Sequence, residues 1–189
     1  IMVFDKDFMA ISREKEGIMT NRIIRIIVVL SATWMICITP LLADVNFSAE
    51  IKTLPGWVVS KMKRYSWRKE CPVPLDQLSY LYLKHWDYKG KIQFGRLVVH
   101  QEVALDIVEI FEFLFELKFP IAKMKLIDDY QGSDAESMAD NNTSAFNCRF
   151  VTGKEGVFSK HSYGTAIDIN PLVNPYVNQE TIVPLQGKH

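Results

Sequence analysis

The chain has 189 residues, 48% of them hydrophobic, and its 22 Lys and Arg balance 22 Asp and Glu, so the formal net charge is zero. That length fits one domain at ~100–200 residues per domain. Zero net charge argues against nucleic acid as a partner, because phosphate binding needs a basic excess.

Met19-Thr20-Asn21-Arg22 opens a short basic segment with Arg25 close behind, Ile26 to Leu42 is almost wholly apolar, and Ala43 supplies a small residue before Asp44. That order is a secretory signal peptide over residues 19–43, which leaves residues 1–18 as an upstream extension and Met19 as the initiator. The alternative is an uncleaved membrane anchor over residues 23–43, close to the ~20 residues that span a bilayer. Pro40 and Ala43 favour cleavage. Either way the protein is expected to be exported, and to touch a membrane only through that segment.

Cysteine usage agrees with export. Cys37 lies inside the apolar segment, and Cys71 and Cys148 remain as an even pair for an oxidising compartment. They are a disulfide candidate; two unpaired buried thiols is the other reading, because sequence alone does not place their Cβ atoms. Neither has the partners of a structural zinc site.

Residues 44–70 read as a lead-in with a turn at Pro55-Gly56. Cys71-Pro72-Val73-Pro74 enters the main domain, residues 71–189, as extended chain. Leu78 to Trp86 and Gln93 to His100 read as two strands joined by a turn at Asp87–Gly90. Gln101 to Lys118 is the clearest helix: Glu102, Asp106, Glu109, Glu112 and Glu116 recur at spacings of three and four and form a solvated stripe. Lys123 to Asp129 reads as a strand, Gln131 to Thr143 as a loop, and Phe146 to Val151 as a short strand. Two further short strands are expected within Val157 to Ile169. The sum is an α+β domain, a small antiparallel sheet with packed helices.

The richest stretch is Ser159-Lys160-His161-Ser162-Tyr163-Gly164-Thr165-Ala166-Ile167-Asp168. Gly164 permits a turn that brings His161 beside Asp168. Strand alternation from Ala166 to Asn170 predicts Ile167 and Ile169 on a core, with Ala166, Asp168 and Asn170 on a cleft. An imidazole and a carboxylate converging there are two of the three protein ligands of a catalytic zinc, with their nearest atoms within about 4 Å.

This S-x-H-x-x-G-x-A-x-D pattern, continued in Asp168-Ile169-Asn170-Pro171 and Asn174-Pro175-Tyr176 and preceded by Ser137 to Arg149, resembles the zinc-dependent peptidoglycan peptidases. These are the VanY-like D-alanyl-D-alanine carboxypeptidases and the related L-alanyl-D-glutamate endopeptidases. The resemblance implies the same α+β fold with zinc on the sheet. It implies peptidoglycan stem peptides as substrate and a periplasmic, cell-wall or extracellular site of action. It makes His161 and Asp168 the zinc ligands, Arg149 the catalytic arginine that holds the substrate and the developing oxyanion, and Ser159, Asn142 and Thr143 substrate-binding candidates. It also implies a third ligand histidine and a carboxylate base in a D-x-x-H-F-type segment. The sequence to His189 contains no such segment, so the domain is expected to be truncated at its C-terminus. Weak zinc binding and little hydrolysis are expected of the chain as given. His189 is a poor substitute ligand. The alternative is a non-catalytic zinc- or peptidoglycan-binding module.

Other chemistries fare worse. Asp128 and Asp129 are adjacent and would point to opposite faces of a strand, so they do not form a glycosidase pair. There is no G-x-S-x-G elbow. Cys148 lacks a cysteine-peptidase context, and His85 and His100 sit among strand residues that suit packing.

Overall fold

The computed structural model describes residues 2–3, 45–178 and 181–187. The chain divides into two units, residues 1–4 with 47–189, and residues 5–46; the fold below is that of the first. The expected signal peptide or anchor lies outside the described residues, as does His189. Among the described residues no helix is long and apolar enough to cross a membrane.

Strand β1 (Met2–Val3) comes first, then β2 (Ala49–Thr53), helix α1 (Gly56–Tyr65), β3 (Leu78–Trp86), β4 (Ile92–His100) and helix α2 (Ala104–Glu116). β2, β3 and β4 form an antiparallel sheet in that order, with Leu81 opposite Leu97 and Tyr80 opposite Val98. The period-2 alternation of strand side chains divides its two faces. Leu81, Leu83, Leu97 and Val99 pack with Ala104, Ile107 and Phe111 of α2 in one core. Leu78, Tyr80 and Val98 pack with Val58 and Met62 of α1 in the other. Each fully buried aliphatic or aromatic side chain contributes ~1.5–3 kcal/mol relative to exposure, so the sheet is stabilised from both sides.

The residues expected as a lead-in therefore supply an edge strand and a covering helix. The expected hairpin and long helix are present, the helix opening with a 3-10 turn over Gln101–Val103. Its solvated stripe is largely in water: Glu102, Glu109, Glu112 and Glu116 are exposed, while Asp106 is half-buried.

Past α2 the elements shorten. β5 (Lys123–Met124) is a two-residue strand, and the rest of the expected strand becomes a 3-10 turn over Ile127–Tyr130. Alternation holds through Met124 and Leu126 and fails at Ile127 and Asp128, which are both buried as the chain turns inward. The expected loop contains a short helix, α3 (Asp134–Ala139), and strand β6 (Asn142–Thr143), which pairs with β5 in parallel. Ser133 caps α3 by accepting a hydrogen bond from the Glu136 N–H at 3.3 Å. The S-x-x-E spacing Ser133–Glu136 is the capping-box signature that marks this helix in the sequence.

Of the expected strand 146–151 only β7 (Phe150–Val151) is regular, paired with β8 (Lys154–Phe158). β9 (Ala166–Ile167) pairs with β1, and a last hairpin joins β10 (Tyr176–Asn178) to β11 (Thr181–Val183). Cys71 and Cys148 are bonded to each other across 77 positions. A closed loop of that kind typically contributes ~2–4 kcal/mol, and here it fastens the chain just before Arg149.

Candidate metal centre

Three backbone strands meet at the site. The segment after β6 lies along β4, with the Phe146 N–H donating to the Val98 carbonyl at 3.0 Å. On its other side Asn147 N–H donates to His161 O at 3.2 Å, and Ser159 N–H to Arg149 O at 2.9 Å. Ser144 and Asp168 exchange backbone hydrogen bonds of 3.1 and 2.9 Å. His161 and Asp168 are thus carried on backbone that is itself anchored to the sheet.

His161 sits in a 3-10 turn, Lys160–Tyr163, and not on the strand expected for it. Ser159 starts the turn: its Oγ accepts from the His161 N–H at 3.4 Å. Gly164 ends it at φ 68°, a left-handed conformation that favours glycine. A Cβ there would stand 2.6 Å from the His100 nitrogen. That nitrogen donates to the Gly164 carbonyl at 2.9 Å, so the glycine also permits close docking on β4.

The turn places His161 Nε2 3.2 Å from Asp168 Oδ2. Both residues are buried, at 3% and 8% exposure. The other ring nitrogen, Nδ1, lies 2.7 Å from the Ala145 carbonyl oxygen. A carbonyl only accepts, so Nδ1 carries the hydrogen and Nε2 presents its lone pair towards Asp168. Nε2 nonetheless has no hydrogen-bond partner. A proton or a metal cation shared between Nε2 and Oδ2 would satisfy both atoms.

The neighbouring carboxylate also favours a proton on the imidazole, which would make the pair an ion pair. Burial alone would push the imidazole pKa down, but the Asp168 carboxylate and the Ala145 carbonyl outweigh it and raise it. Burial would lift the Asp168 carboxyl, but His161 beside it and the positive charge of Arg149 hold it below the usual carboxylate range.

Two atoms bound ~2.0–2.2 Å from one tetrahedral zinc stand roughly 3.3–3.6 Å apart, close to the observed 3.2 Å. Imidazole nitrogen and carboxylate oxygen are both zinc donors. The pair fits zinc in chemistry and spacing, and the Nδ1 bond to Ala145 is the usual outer support of a ligating histidine. Among the described residues no group of three or more His, Cys, Asp or Glu is placed to hold a metal ion.

Arg149 lies beside the pair. Its Nη2 donates to Asp134 Oδ2 at 2.6 Å, its Nη1 to the Phe150 carbonyl at 3.4 Å, and its Nε is buried with no partner. Its backbone is clamped by Ser162, whose Oγ accepts from Arg149 N–H at 3.0 Å and approaches the Arg149 carbonyl at 2.8 Å.

The other expected residues lie beneath the site. Asn142 is fully buried; its Oδ1 accepts from Lys125 N–H at 2.8 Å, and its Nδ2 donates to Lys125 O and to Ser137 Oγ. Thr143 is equally buried and accepts from Asn170 N–H. These side chains position backbone and do not line a cleft. Ala166 and Asn170, expected on the cleft face, are both at 0% exposure. The strand ends at Ile167, and Asn170 turns the chain at φ 46°. Cys148 is in the disulfide, and His85 is buried with Nδ1 3.1 Å from Trp86 O.

Sequence reasoning missed the roles of Asp134 and Ser162, and the bracing role of Asn170, which it placed on the cleft. The capping box marks the helix that carries Asp134, but nothing in the spacing marks the other two.

The site is thus an imidazole and a carboxylate buried side by side in an α+β domain. Residues 152–189, which contain Ser159, His161 and Asp168, match the family model described as D-alanyl-D-alanine carboxypeptidase. Over that stretch the chain is similar to peptidases of that family, in keeping with the VanY-like resemblance. No curated protein and no solved structure matches the chain.

Proposed function

We propose that the protein is an exported, zinc-dependent peptidase acting on peptidoglycan stem peptides, cutting beside a D-amino acid as a D-alanyl-D-alanine carboxypeptidase or an L-alanyl-D-glutamate endopeptidase. The observation that carries this reading is the buried His161 Nε2 facing Asp168 Oδ2 at 3.2 Å, with its other nitrogen held by the Ala145 carbonyl. The family match over the same residues supports it.

His161 and Asp168 would hold the zinc, which would polarise the scissile carbonyl and make water acidic enough to attack near neutral pH. The protein's own groups do the rest. Ala145 fixes the His161 tautomer, so Nε2 stays a donor of electrons. Arg149 offers its free Nε–H to negative charge, the substrate carboxylate or the oxygen that becomes anionic as water adds. A fixed donor aimed at developing charge lowers the barrier because its interaction strengthens in the transition state.

A second reading, a zinc- or peptidoglycan-binding module without catalysis, is favoured by one fact: only two metal donors converge among the described residues. Incubating the chain with purified muropeptides and zinc, and reading products by mass spectrometry, separates the two. Zinc-dependent release of D-alanine, or cleavage of the L-Ala–D-Glu bond, that disappears in His161→Ala supports the peptidase. Muropeptide binding without any product supports the module. Cleavage untouched by His161→Ala refutes the site.

A further inference from the structure

We propose that Asp134 is a positioning residue for Arg149: its carboxylate holds the guanidinium so that the Nε edge faces the site and not the Asp168 carboxylate. This inference rests on the reading of Arg149 as the substrate-facing cation.

Asp134 opens α3, whose Ser133 cap fixes the first turn. Its Oδ2 stands 2.6 Å from Arg149 Nη2, with both side chains mostly shielded from water at 22% and 29% exposure. A charge-assisted hydrogen bond at that depth is roughly twice as strong as a neutral one. Three attachments then fix Arg149. The disulfide holds the residue before it, Ser162 holds its backbone, and Asp134 holds its head group.

Electrostatics supplies the reason for the third attachment. The charge of Arg149 is felt at Asp168, and that of Asp134 at His161. An arginine without its own counter-ion, beside a buried carboxylate, is drawn to that carboxylate. It would then occupy the oxygen the proposed metal needs. Asp134 offers a competing acceptor for Nη2, and the Nε–H is left buried without a protein partner. A buried donor without an acceptor is costly, so the head group keeps that place only while Asp134 holds it.

The test is a double-mutant cycle on the full chain. With zinc and muropeptide, Asp134→Asn is expected to lower kcat/KM about tenfold or more, the size of one lost charge-assisted hydrogen bond. The fold should persist, as read by thermal unfolding. Asp134→Glu should recover part of the loss, and Asp134→Asn should cost nothing further in an Arg149→Ala background. Wild-type rates in Asp134→Asn, or an equal loss in the Arg149→Ala background, would overturn the proposal while leaving the peptidase reading intact. Where the chain turns over too little muropeptide to give kcat/KM, the Arg149 Nε–H resonance decides instead. A signal shifted or lost to solvent exchange in Asp134→Asn supports the positioning role, and an unchanged signal rejects it.

Discussion

The β2–β3–β4 sheet with its two helices and the stretch from β5 to Asn170 are held together by different forces. The sheet is fastened by apolar side chains on both faces, in registers that strand alternation dictates. The second region lends Met124, Leu126, Ala145, Phe146 and Ile167 to the same cores, but most of its strands have two residues and its turns are fastened by polar side chains bonded to backbone. Asn142 bridges to Lys125, Asn170 to Pro120 and Ala122, Ser162 to Arg149, and His161 to Ala145. A hydrophobic contact tolerates small shifts, whereas a buried hydrogen bond fixes direction and distance. The region that must place two donor atoms 3.2 Å apart is the one built from hydrogen bonds.

That difference can be broken from either side. Phe111→Ala empties a position at 1% exposure between α2 and the sheet. It is expected to cost ~3–5 kcal/mol by urea unfolding, while the folded fraction keeps its zinc affinity. Asn170→Ala removes the acceptor for the Ala122 N–H and the donor to the Pro120 carbonyl, bonds of 2.9 and 2.8 Å. With each orphaned group costing ~1–3 kcal/mol, the loss should total about 2–6 kcal/mol. Zinc affinity should fall as well, because Asn170 lies two residues past Asp168. Unchanged zinc binding in Asn170→Ala would show that the site does not depend on the hydrogen-bonded frame.

The smallest effect concerns acid. Asp140 is held below the usual carboxylate range first by its bond to Lys123 and then by Tyr130. A carboxylate depressed in the folded state adds stability above its unfolded pKa of ~3.9 and loses it as pH falls through the lower folded value. Thermal midpoints of Asp140→Asn and wild type should therefore differ slightly at neutral pH and converge in strong acid. A gap that widens with acid would reverse the sign and contradict the assignment.

The same division explains what the sequence reveals. The hairpin of β3 and β4 and the helix α2 are legible because their periodicity reports burial directly. Beyond Pro120 the periodicity misleads. Lys123 to Asp129 alternates like a strand until Ile127, and the loop-like run from Gln131 hides a helix that its capping box marks. The His161–Asp168 convergence is legible because a glycine and a seven-residue spacing suffice for the turn. The roles of Asn142 and Thr143 are not, because a buried asparagine that braces a turn and an exposed one that binds a ligand share the same letters. Asp134 is invisible for a similar reason: it meets Arg149 only through the tertiary fold.

The account stands on the claim that His161 and Asp168 share one zinc ion. Zinc titration against a competing chelator, on the full chain and on His161→Ala and Asp168→Ala, tests this most directly. One ion per chain is expected, with affinity falling by at least ~100-fold in either variant, beyond the ~10–100-fold typical of groups that only support a ligand. Wild-type zinc affinity in either variant would contradict the account.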